Sequence, residues 1–292
     1  MGLKVTEQSV QTERCRIAFQ EWGSPLGEPV LVVHGWLDNA ASFCNLMPHL
    51  NLEHFRYLVL DLPGHGRSGH LSPAEQYHLL ESVLDIQSFL AALGLQKVHY
   101  LGHSLGGVIG VIWAATYPEW LHSLILIDSV GPFSDEPEKL PRGLRKAIDK
   151  RLSHRNAQPV YTHIHDAVAA RMKGITALGE DAAARLVARG IKPCNGGVTW
   201  RTDARLRYPS LMRLSEEQVQ AILLAVKSPT CVILAKDGLL IRSAVVKKRL
   251  ACLAQREVHE LCGHHHLHLE GSPEAVASVI NPFLDKRAHN KT

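Results

Sequence analysis

The 292-residue sequence predicts an α/β protein built on a mainly parallel β-sheet. Continuous apolar runs rich in β-branched residues are typical of strands that are buried on both faces of a sheet. Runs of this kind occur at residues 30–33, 57–60, 98–101, 123–127 and 230–234. Segments with helical spacing lie between several of them. Strands that alternate with helices favour a parallel sheet covered by helices on both faces.

The first 130 residues carry most of these elements. Two alternating stretches, 5–11 and 16–22, predict an N-terminal hairpin, and apolar residues recur at helical spacing over 40–50 and 82–93. The run at 98–101 leads into a tight turn and a helix, and the run at 123–127 ends at Asp128.

The pattern changes between residues 131 and 226. This segment has no β-rich run, and its 16 Lys+Arg against 10 Asp+Glu give a net charge of +6, whereas the rest of the chain carries −2. We predict a helical lid over 131–226, inserted after the sixth strand into a core domain formed by 1–130 and 227–292. The basic excess indicates either a solvated helical surface or a lid that attracts an anionic substrate.

The sheet pattern resumes after the lid. The run at 230–234 precedes Asp237, and residues 256–261 predict the last strand. Ser272 and Pro273 have the residue types of an N-cap and a first helical position, so they predict the start of a closing helix.

The turn after residue 101 has the pattern of an activated serine. Ser104 lies between Gly102 and Gly106, with an apolar strand before it and an apolar helix after it. So tight a turn strains the apex residue and brings the residues two before and two after it into near contact, so both must be small. The N–H of Leu105 then lies at a helix N-terminus, where partial positive charge gathers. The pattern predicts a catalytic nucleophile.

A serine nucleophile needs a base within hydrogen-bond reach and a carboxylate that orients the base. Ligands of open parallel sheets sit beyond the carboxyl ends of the strands. Asp128, Asp237 and the histidines between 264 and 268 each follow a predicted strand. Their order along the chain, serine then aspartate then histidine, is the order of the nucleophile-elbow architecture.

Four motifs together resemble the α/β-hydrolase-fold serine hydrolases over nearly the whole chain: HGW, DLPGHGRS, GHSLGG and GHHHLHLEGSPEAV. Two further stretches, HGWLDNAASF and GGVTWRTDARL, resemble the serine-hydrolase-like proteins within that group. The resemblance implies an α/β-hydrolase fold with a mostly parallel eight-stranded sheet flanked by helices.

The resemblance also implies residue roles. Ser104 is the expected nucleophile and His265 the expected base, with His264 and His266 as alternatives. The backbone N–H groups of Trp36 and Leu105 are expected to form the oxyanion hole, in which one donor is typically worth roughly 3 kcal/mol of barrier.

Two aspartates compete for the role of triad acid. The usual family pattern after the seventh strand places the aspartate three residues beyond a glycine, and here Ala235-Lys236-Asp237-Gly238 is one residue short. Some relatives take the acid from the end of the sixth strand, which corresponds to Asp128. We favour Asp237 over Asp128 at this point.

Three more residues are candidates for substrate contact. Asp38 lies in the loop that carries the oxyanion donor, where shaping the loop is the competing role, and the resemblance places Trp200 and Arg205 near the pocket.

The expected activity is cleavage of a small-molecule carboxylic ester without a cofactor. Hydrolysis of thioesters, lactones, amides or carbon–carbon bonds uses the same apparatus, and a non-catalytic binding protein of this fold is the alternative from another class. The histidines at 264–268 lack the helix and the intervening glutamate of a metal motif, so we expect no metal.

Composition narrows the partners and the location. A net charge of +4 is small for nucleic-acid or membrane binding, and no apolar run approaches the ~20 residues of a membrane span. The six cysteines are scattered, and the first ten residues have no apolar signal core. We therefore expect a cytoplasmic protein with reduced thiols. Its oligomeric state is not encoded in any motif.

Overall fold

A computed structural model describes residues 5–153, 157–241 and 243–288 of the chain. The segment before the lid contains β1 (Thr6–Gln11), β2 (Arg16–Gly23), β3 (Glu28–Val33), β4 (Phe55–Leu60), α1 (Ser82–Ala92), β5 (Val98–His103), α2 (Leu105–Thr116) and β6 (Leu121–Ile127). The inserted segment contains α3 (Leu140–Leu152), β7 (Val160–Tyr161), α4 (Ile164–Met172), α5 (Glu180–Gly190), β8 (Ile191–Cys194) and β9 (Gly197–Trp200). The chain then forms α6 (Glu216–Ala225), β10 (Thr230–Ala235), α7 (Ala244–Cys252), β11 (Arg256–Leu261) and α8 (Pro273–Asp285).

The main sheet has eight strands in the order β1-β2-β4-β3-β5-β6-β10-β11. Strand β2 is antiparallel to both of its neighbours, and every other pair in this sheet is parallel. The predicted mainly parallel eight-stranded sheet is confirmed. Since β5, β6, β10 and β11 are adjacent and parallel, the loops that follow them meet at one edge of the sheet.

Two apolar layers cover the sheet. One face packs against α1, α2 and α6, with Phe89, Trp113 and Leu223 buried between the elements. The opposite face packs against α8 and the loop after β3, where Phe43 and Ile280 are buried. Burial on both faces explains why the central strands are continuous apolar runs, and it makes the sheet a rigid support for the loops at its edge.

The inserted segment differs from the predicted all-helical lid. It contains a small antiparallel sheet in the order β7-β9-β8 beside α4 and α5. Strands this short carry too few apolar residues to stand out from a helical pattern. Helix α6 belongs with the core, because Val219 and Leu223 are buried in the layer beside α2, so the core resumes before residue 227. We call residues 133–213 the cap.

The helix expected over residues 40–50 forms as two short 3₁₀ turns, Ala40–Phe43 and Met47–His49. Pro48 lacks the N–H that a continuous helix needs and clashes with the preceding turn, so it divides the segment. The side chain of Asn39 accepts from the N–H of Ala41 at 3.0 Å and begins the first turn. Among the described residues, no helix has both the length and the apolar content to cross a bilayer.

Candidate active site

Ser104 lies at the apex of the turn between β5 and α2. Its backbone has φ 51° and ψ −116°, a strained conformation for a residue with a side chain. A Cβ on Gly102 would lie 2.5 Å from backbone atoms of Gly106 and Gly107, and a Cβ on Gly106 would lie 2.1 Å from the carbonyl oxygen of Val33. Only glycine fits at either position, as the sequence predicts. The turn leaves Ser104 half-buried rather than sealed in the core.

Two backbone donors, one in the loop after β3 and one directly after Ser104, have no acceptor among the described residues. Within the described parts of the chain, the N–H groups of Trp36 and Leu105 donate to no protein atom. Leu105 is the first residue of α2, so its N–H also lies at the positive end of the helix dipole. Free N–H groups at such positions are suited to binding a negatively charged oxygen.

The loop that carries Trp36 is fixed by two buried histidines. The neutral ring of His34 donates from Nδ1 to the carbonyl of Gly35 at 2.7 Å and accepts at Nε2 from the N–H of Leu62 at 3.0 Å. His65 accepts at Nε2 from the N–H of Leu37, which adopts φ 63°. Burial lowers the pKa of His34, and burial together with the neighbouring His34 ring lowers the pKa of His65 to about 3. Both rings therefore remain neutral and able to accept.

His265 is paired with Asp128. Its Nδ1 lies 2.6 Å from Asp128 Oδ2, and the carboxylate side chain is fully buried. Asp128 also accepts from the backbone N–H groups of Ala235 and Leu239, at 3.3 and 3.4 Å. A carboxylate at Nδ1 fixes the imidazole tautomer whose Nε2 is free to accept a proton.

The structure does not place Asp237 at this histidine. Asp237 follows β10 with its side chain exposed, whereas Asp128 follows β6, which is adjacent to the strand that leads to Ser104. The residue after Asp237 is Gly238, and a Cβ there would lie 2.7 Å from Asp128 Oδ2. The short loop thus brings Gly238, and not Asp237, against the His265–Asp128 pair. The carboxylate that contacts His265 is thus that of Asp128, and not that of the favoured Asp237.

His103 joins the serine turn to the histidine loop. Its Nε2 donates to the carbonyl oxygen of His265 at 2.9 Å, and the two ring centroids lie 4.6 Å apart. Burial lowers the pKa of His103 well below the ordinary value, and the neighbouring ring of His268 lowers it further. A neutral ring beside Ser104 therefore fixes the position of the loop that carries His265.

The alternative base, His266, has a different partner. Its Nε2 lies 2.9 Å from Asp38 Oδ2, and the Arg171 guanidinium of the cap donates to Asp38 Oδ1 at 2.8 Å. Burial alone would raise the pKa of Asp38, but His266 and Arg171 outweigh burial and hold it well below the ordinary value. His264, at the start of the same loop, is exposed. Both oxygens of the buried Asp38 therefore have partners inside the protein, which fits the expected role of shaping the loop.

A metal ion would find possible ligands in the same cluster. Asp38, His103 and His266 are buried, and their ligand atoms lie within 4.8 Å of one another. However, the two oxygens of Asp38 already accept from His266 and from the positively charged Arg171. A guanidinium at this distance opposes a second cation, so the donor set fits an ion-paired support better than a metal centre.

The cap is tied to the site at two more points. The indole Nε1–H of Trp36 donates to the carbonyl of Leu206 at 3.0 Å. Arg189 of α5, only 4% exposed, contacts both carboxylate oxygens of Asp61 at about 3.0 Å and also pairs with Glu7. Each tether joins a cap residue to a loop at the carboxyl edge of the sheet, so the cap closes over that edge.

Trp200 and Arg205 both contact other residues of the protein. Trp200 packs edge-on against Tyr161 and lies in the small apolar core of the cap. Arg205 pairs with Asp203 at 2.7 Å and stacks on the ring of Tyr77. The polar groups of both residues are engaged within the protein, because the Trp200 indole N–H also donates to the Tyr161 hydroxyl at 3.3 Å. Their assignment to substrate binding stays a prediction.

Comparison with known proteins identifies the family. The family described as the alpha/beta hydrolase fold matches residues 28–272. The chain belongs to the α/β-hydrolase fold family. It is 34% identical to serine hydrolase-like protein 2 of Homo sapiens, over 92% of this chain and 90% of that protein. It is also 31% identical to a serine hydrolase-like protein of Danio rerio, over 94% of this chain and 86% of that protein.

Solved structures of this family agree with the fold. A hypothetical protein of Pseudomonas aeruginosa PAO1 is 37% identical, with a TM-score of 0.92 over 96% of this chain and 99% of that one. A thioesterase domain from the curacin biosynthetic pathway is 26% identical, with a TM-score of 0.82 over 95% of this chain and 99% of that one.

Several residues of the site were absent from the sequence prediction. His34 directly follows β3 and His65 lies in the loop after β4, and each precedes a glycine, which is a detectable local signal. Arg171 and Arg189 lie far along the chain from the aspartates that they hold, and nothing local marks them among the other cap cations. Their roles depend on how the cap docks.

Proposed function

We propose that this chain is a serine hydrolase that cleaves a carboxylic ester of a small molecule through an acyl-enzyme. Ser104 is the nucleophile, His265 the general base and Asp128 the acid of the triad. The observation that carries the proposal is the strained serine turn beside two unpaired backbone N–H groups and the buried His265–Asp128 pair. Membership of a hydrolase family supports the same class of reaction.

The first half-reaction forms the acyl-enzyme. His265 Nε2 takes the proton from Ser104 Oγ as the oxygen attacks the carbonyl carbon. The carbonyl oxygen becomes negatively charged and is bound by the N–H groups of Trp36 and Leu105. The tetrahedral intermediate then collapses, and the leaving alcohol takes the proton from His265.

The second half-reaction returns the free enzyme. A water molecule attacks the acyl carbon while His265 takes one of its protons, and the same N–H groups bind the second oxyanion. Ser104 leaves as the carboxylic acid is released and recovers its proton from His265. Asp128 remains ionised throughout and stabilises the imidazolium that forms twice in each cycle.

The cap supplies the walls of the acyl and alcohol sites. Its inward cations are already neutralised, since Arg171 is bound to Asp38 and Arg189 to Asp61. These contacts therefore do not support a lid that attracts an anionic substrate into the site. We expect neutral acyl groups to be accepted as well as anionic ones.

A thioester is the second candidate substrate. The thioesterase domain from the curacin pathway is 26% identical over 95% of this chain, and the same serine chemistry cleaves both bond types. Acyl N-acetylcysteamine and oxygen esters of the same acyl group separate the two activities, because released thiol and released alcohol are measured independently.

Hydrolysis of short-chain p-nitrophenyl esters tests the proposal. The wild-type protein should release p-nitrophenol with turnover, and Ser104→Ala should abolish it. Ser278→Ala, which changes an exposed serine of α8, is the matched control and should retain full activity. Equal turnover by folded wild-type and Ser104→Ala proteins would remove Ser104 from the mechanism. No turnover by the folded wild-type protein would instead favour a non-catalytic binding protein of this fold.

A further inference from the structure

Helix α3 of the cap exposes an apolar stripe. Leu140, Leu144, Ile148 and Leu152 recur every four residues and are 42%, 37%, 42% and 68% exposed. In this helix only Ala147 is buried. A helix of a globular protein normally turns such a stripe toward the core. In α3 each of these four side chains keeps more than a third of its surface exposed.

The orientation of α3 is fixed by Ala147 and Arg151, which lie at one edge of the stripe, next to Leu140 and Leu144. The Arg151 guanidinium donates to the carbonyl of Pro209 at 2.9 Å and lies 5.3 Å from the ring centroid of Tyr208. Ala147, one turn earlier, is fully buried on the same side. The helix is thus held on the cap by Ala147 and Arg151, with the leucines and the isoleucine beside this anchored side.

The basic excess of the cap is concentrated on this helix. Residues 140–152 hold five basic side chains (Arg142, Arg145, Lys146, Lys150, Arg151) and one acidic side chain (Asp149), so 5 − 1 gives +4. The whole cap, residues 133–213, has 16 Lys+Arg and 8 Asp+Glu, so 16 − 8 gives +8. Arg142, Arg145 and Lys146 are exposed. At about 100° per residue, Arg145 borders the apolar stripe and Arg142 lies next around the helix.

The apolar stripe and the basic residues of α3 together indicate what kind of partner this helix would bind. A second copy of the chain would bring two helices of charge +4 together, which their repulsion opposes. An exposed aliphatic stripe bordered by Arg and Lys is the composition of helices that lie in the plane of a membrane surface. We propose that α3 docks the cap on an anionic lipid surface, with the stripe in the acyl boundary and the basic residues at the phosphates.

The proposal refines the expectation of no membrane partner. That expectation rested on the net charge of +4 for the whole chain, in which the acidic core offsets the cap. The relevant quantity is the local charge of α3. The docking would orient the cap toward lipid, and it does not depend on the identity of the nucleophile.

Vesicle co-sedimentation of the full-length Ser104→Ala protein tests the proposal without hydrolysis of the probe. The vesicles are phosphatidylcholine alone or an equimolar mixture with phosphatidylglycerol. The expected result is binding to the mixed vesicles, at least tenfold weaker binding to phosphatidylcholine, and a marked loss of binding at 0.5 M NaCl.

Two double variants, made in the same Ser104→Ala protein, separate the apolar and electrostatic parts. Leu144→Gln/Ile148→Gln should weaken binding to mixed vesicles more than tenfold. Arg142→Gln/Arg145→Gln should weaken it about 30-fold, since each basic residue near an anionic surface contributes about fivefold. The altered side chains are exposed, so the thermal midpoint should remain within a few degrees.

Matched controls use exposed residues elsewhere. Leu224→Gln on α6, where Leu224 is 65% exposed, and Lys173→Gln/Lys192→Gln in the cap should bind like the parent protein. Three results would overturn the proposal: no vesicle binding by the parent protein, equal binding by the α3 variants and their controls, or a dimer in sedimentation equilibrium that Leu144→Gln/Ile148→Gln converts to a monomer. The last result would place a second copy on the stripe.

Discussion

Replacement of Asp128 by asparagine isolates the contribution of the triad acid. Asp128 Oδ2 lies 2.6 Å from His265 Nδ1, and the carboxylate is fully buried. Asparagine preserves the volume but removes the charge. Its amide N–H₂ can also donate to Nδ1, which would move the ring proton to Nε2 and stop His265 from accepting the serine proton.

The size of the effect follows from the geometry. In the transition state the imidazolium and the carboxylate have charge centres about 4 Å apart, and at an effective dielectric constant of about 20 their attraction is about 4 kcal/mol. Loss of that attraction slows the chemical step about 10³-fold. The wrong tautomer adds to it, so we expect kcat to fall by about 10³ to 10⁴.

The assay is steady-state hydrolysis of p-nitrophenyl butyrate at saturating substrate, with thermal unfolding to verify that each variant is folded. Asp237→Asn is the matched control, because Asp237 is exposed and its variant should retain kcat within about twofold. A kcat for Asp128→Asn within tenfold of the wild-type value would refute the reasoning, as would a comparable loss in Asp237→Asn.

Two further substitutions test contacts of the site, and a third tests the ion pair between Glu216 of α6 and Arg249 of α7. Gly238→Ala should lower kcat at least tenfold, because the new Cβ would lie 2.7 Å from Asp128 Oδ2 and displace the carboxylate. Arg171→Met should lower the free energy of unfolding by about 3 kcal/mol in urea titrations, because it leaves the buried charge of Asp38 without its cationic cap partner. Glu216→Gln should cost about 1–2 kcal/mol at pH 7, since its hydrogen bonds to Arg249 lower the pKa of Glu216 to about 2; this cost should fade as the pH falls from about 4.5 toward 2.

Each of these variants has a matched control. Gly143→Ala adds a Cβ that meets no atom within 4 Å and should leave kcat unchanged. Lys173→Met and Glu217→Gln alter exposed charges near the other two sites and should change stability by at most about 0.5 kcal/mol. Full activity in Gly238→Ala would show that Asp128 tolerates displacement. A pH-independent cost in Glu216→Gln would attribute the loss to something other than the titration of this carboxylate.

The core of the fold was predictable because its signals are local. Strands such as β3 and β10 are buried on both faces and therefore read as continuous apolar runs. The serine turn was predictable for a similar reason, since Gly102 and Gly106 are required by contacts within a few residues or with the neighbouring strand. When the environment of a residue is set by nearby parts of the chain, the local sequence pattern predicts it.

The sequence did not determine which of two aspartates is the acid of the proposed triad. Asp128 and Asp237 both follow strands at the same edge, and the one-residue shortening after Ala235 moves Gly238 into the position that faces Asp128. A shift of one residue decides which side chain points inward. The sequence contains the short loop but not its path.

The cap was the least predictable part. Its strands have four residues or fewer, below the length at which alternation can be separated from helical spacing. Nothing in the sequence around Arg171 and Arg189 distinguishes them from the exposed arginines of α3. Only the docking of the cap on the loops after β3 and β4 separates arginines that support the site from arginines that face outward.

The most direct test of the proposed mechanism is labelling of the folded protein with a fluorophosphonate, followed by intact-mass measurement and peptide mapping. The account predicts one adduct per chain, on Ser104, formed fast in the wild-type and Asp237→Asn proteins and at least 100-fold more slowly in Asp128→Asn. An adduct on another residue, or a folded wild-type protein that remains unlabelled, would contradict the claim that Ser104 is an activated nucleophile.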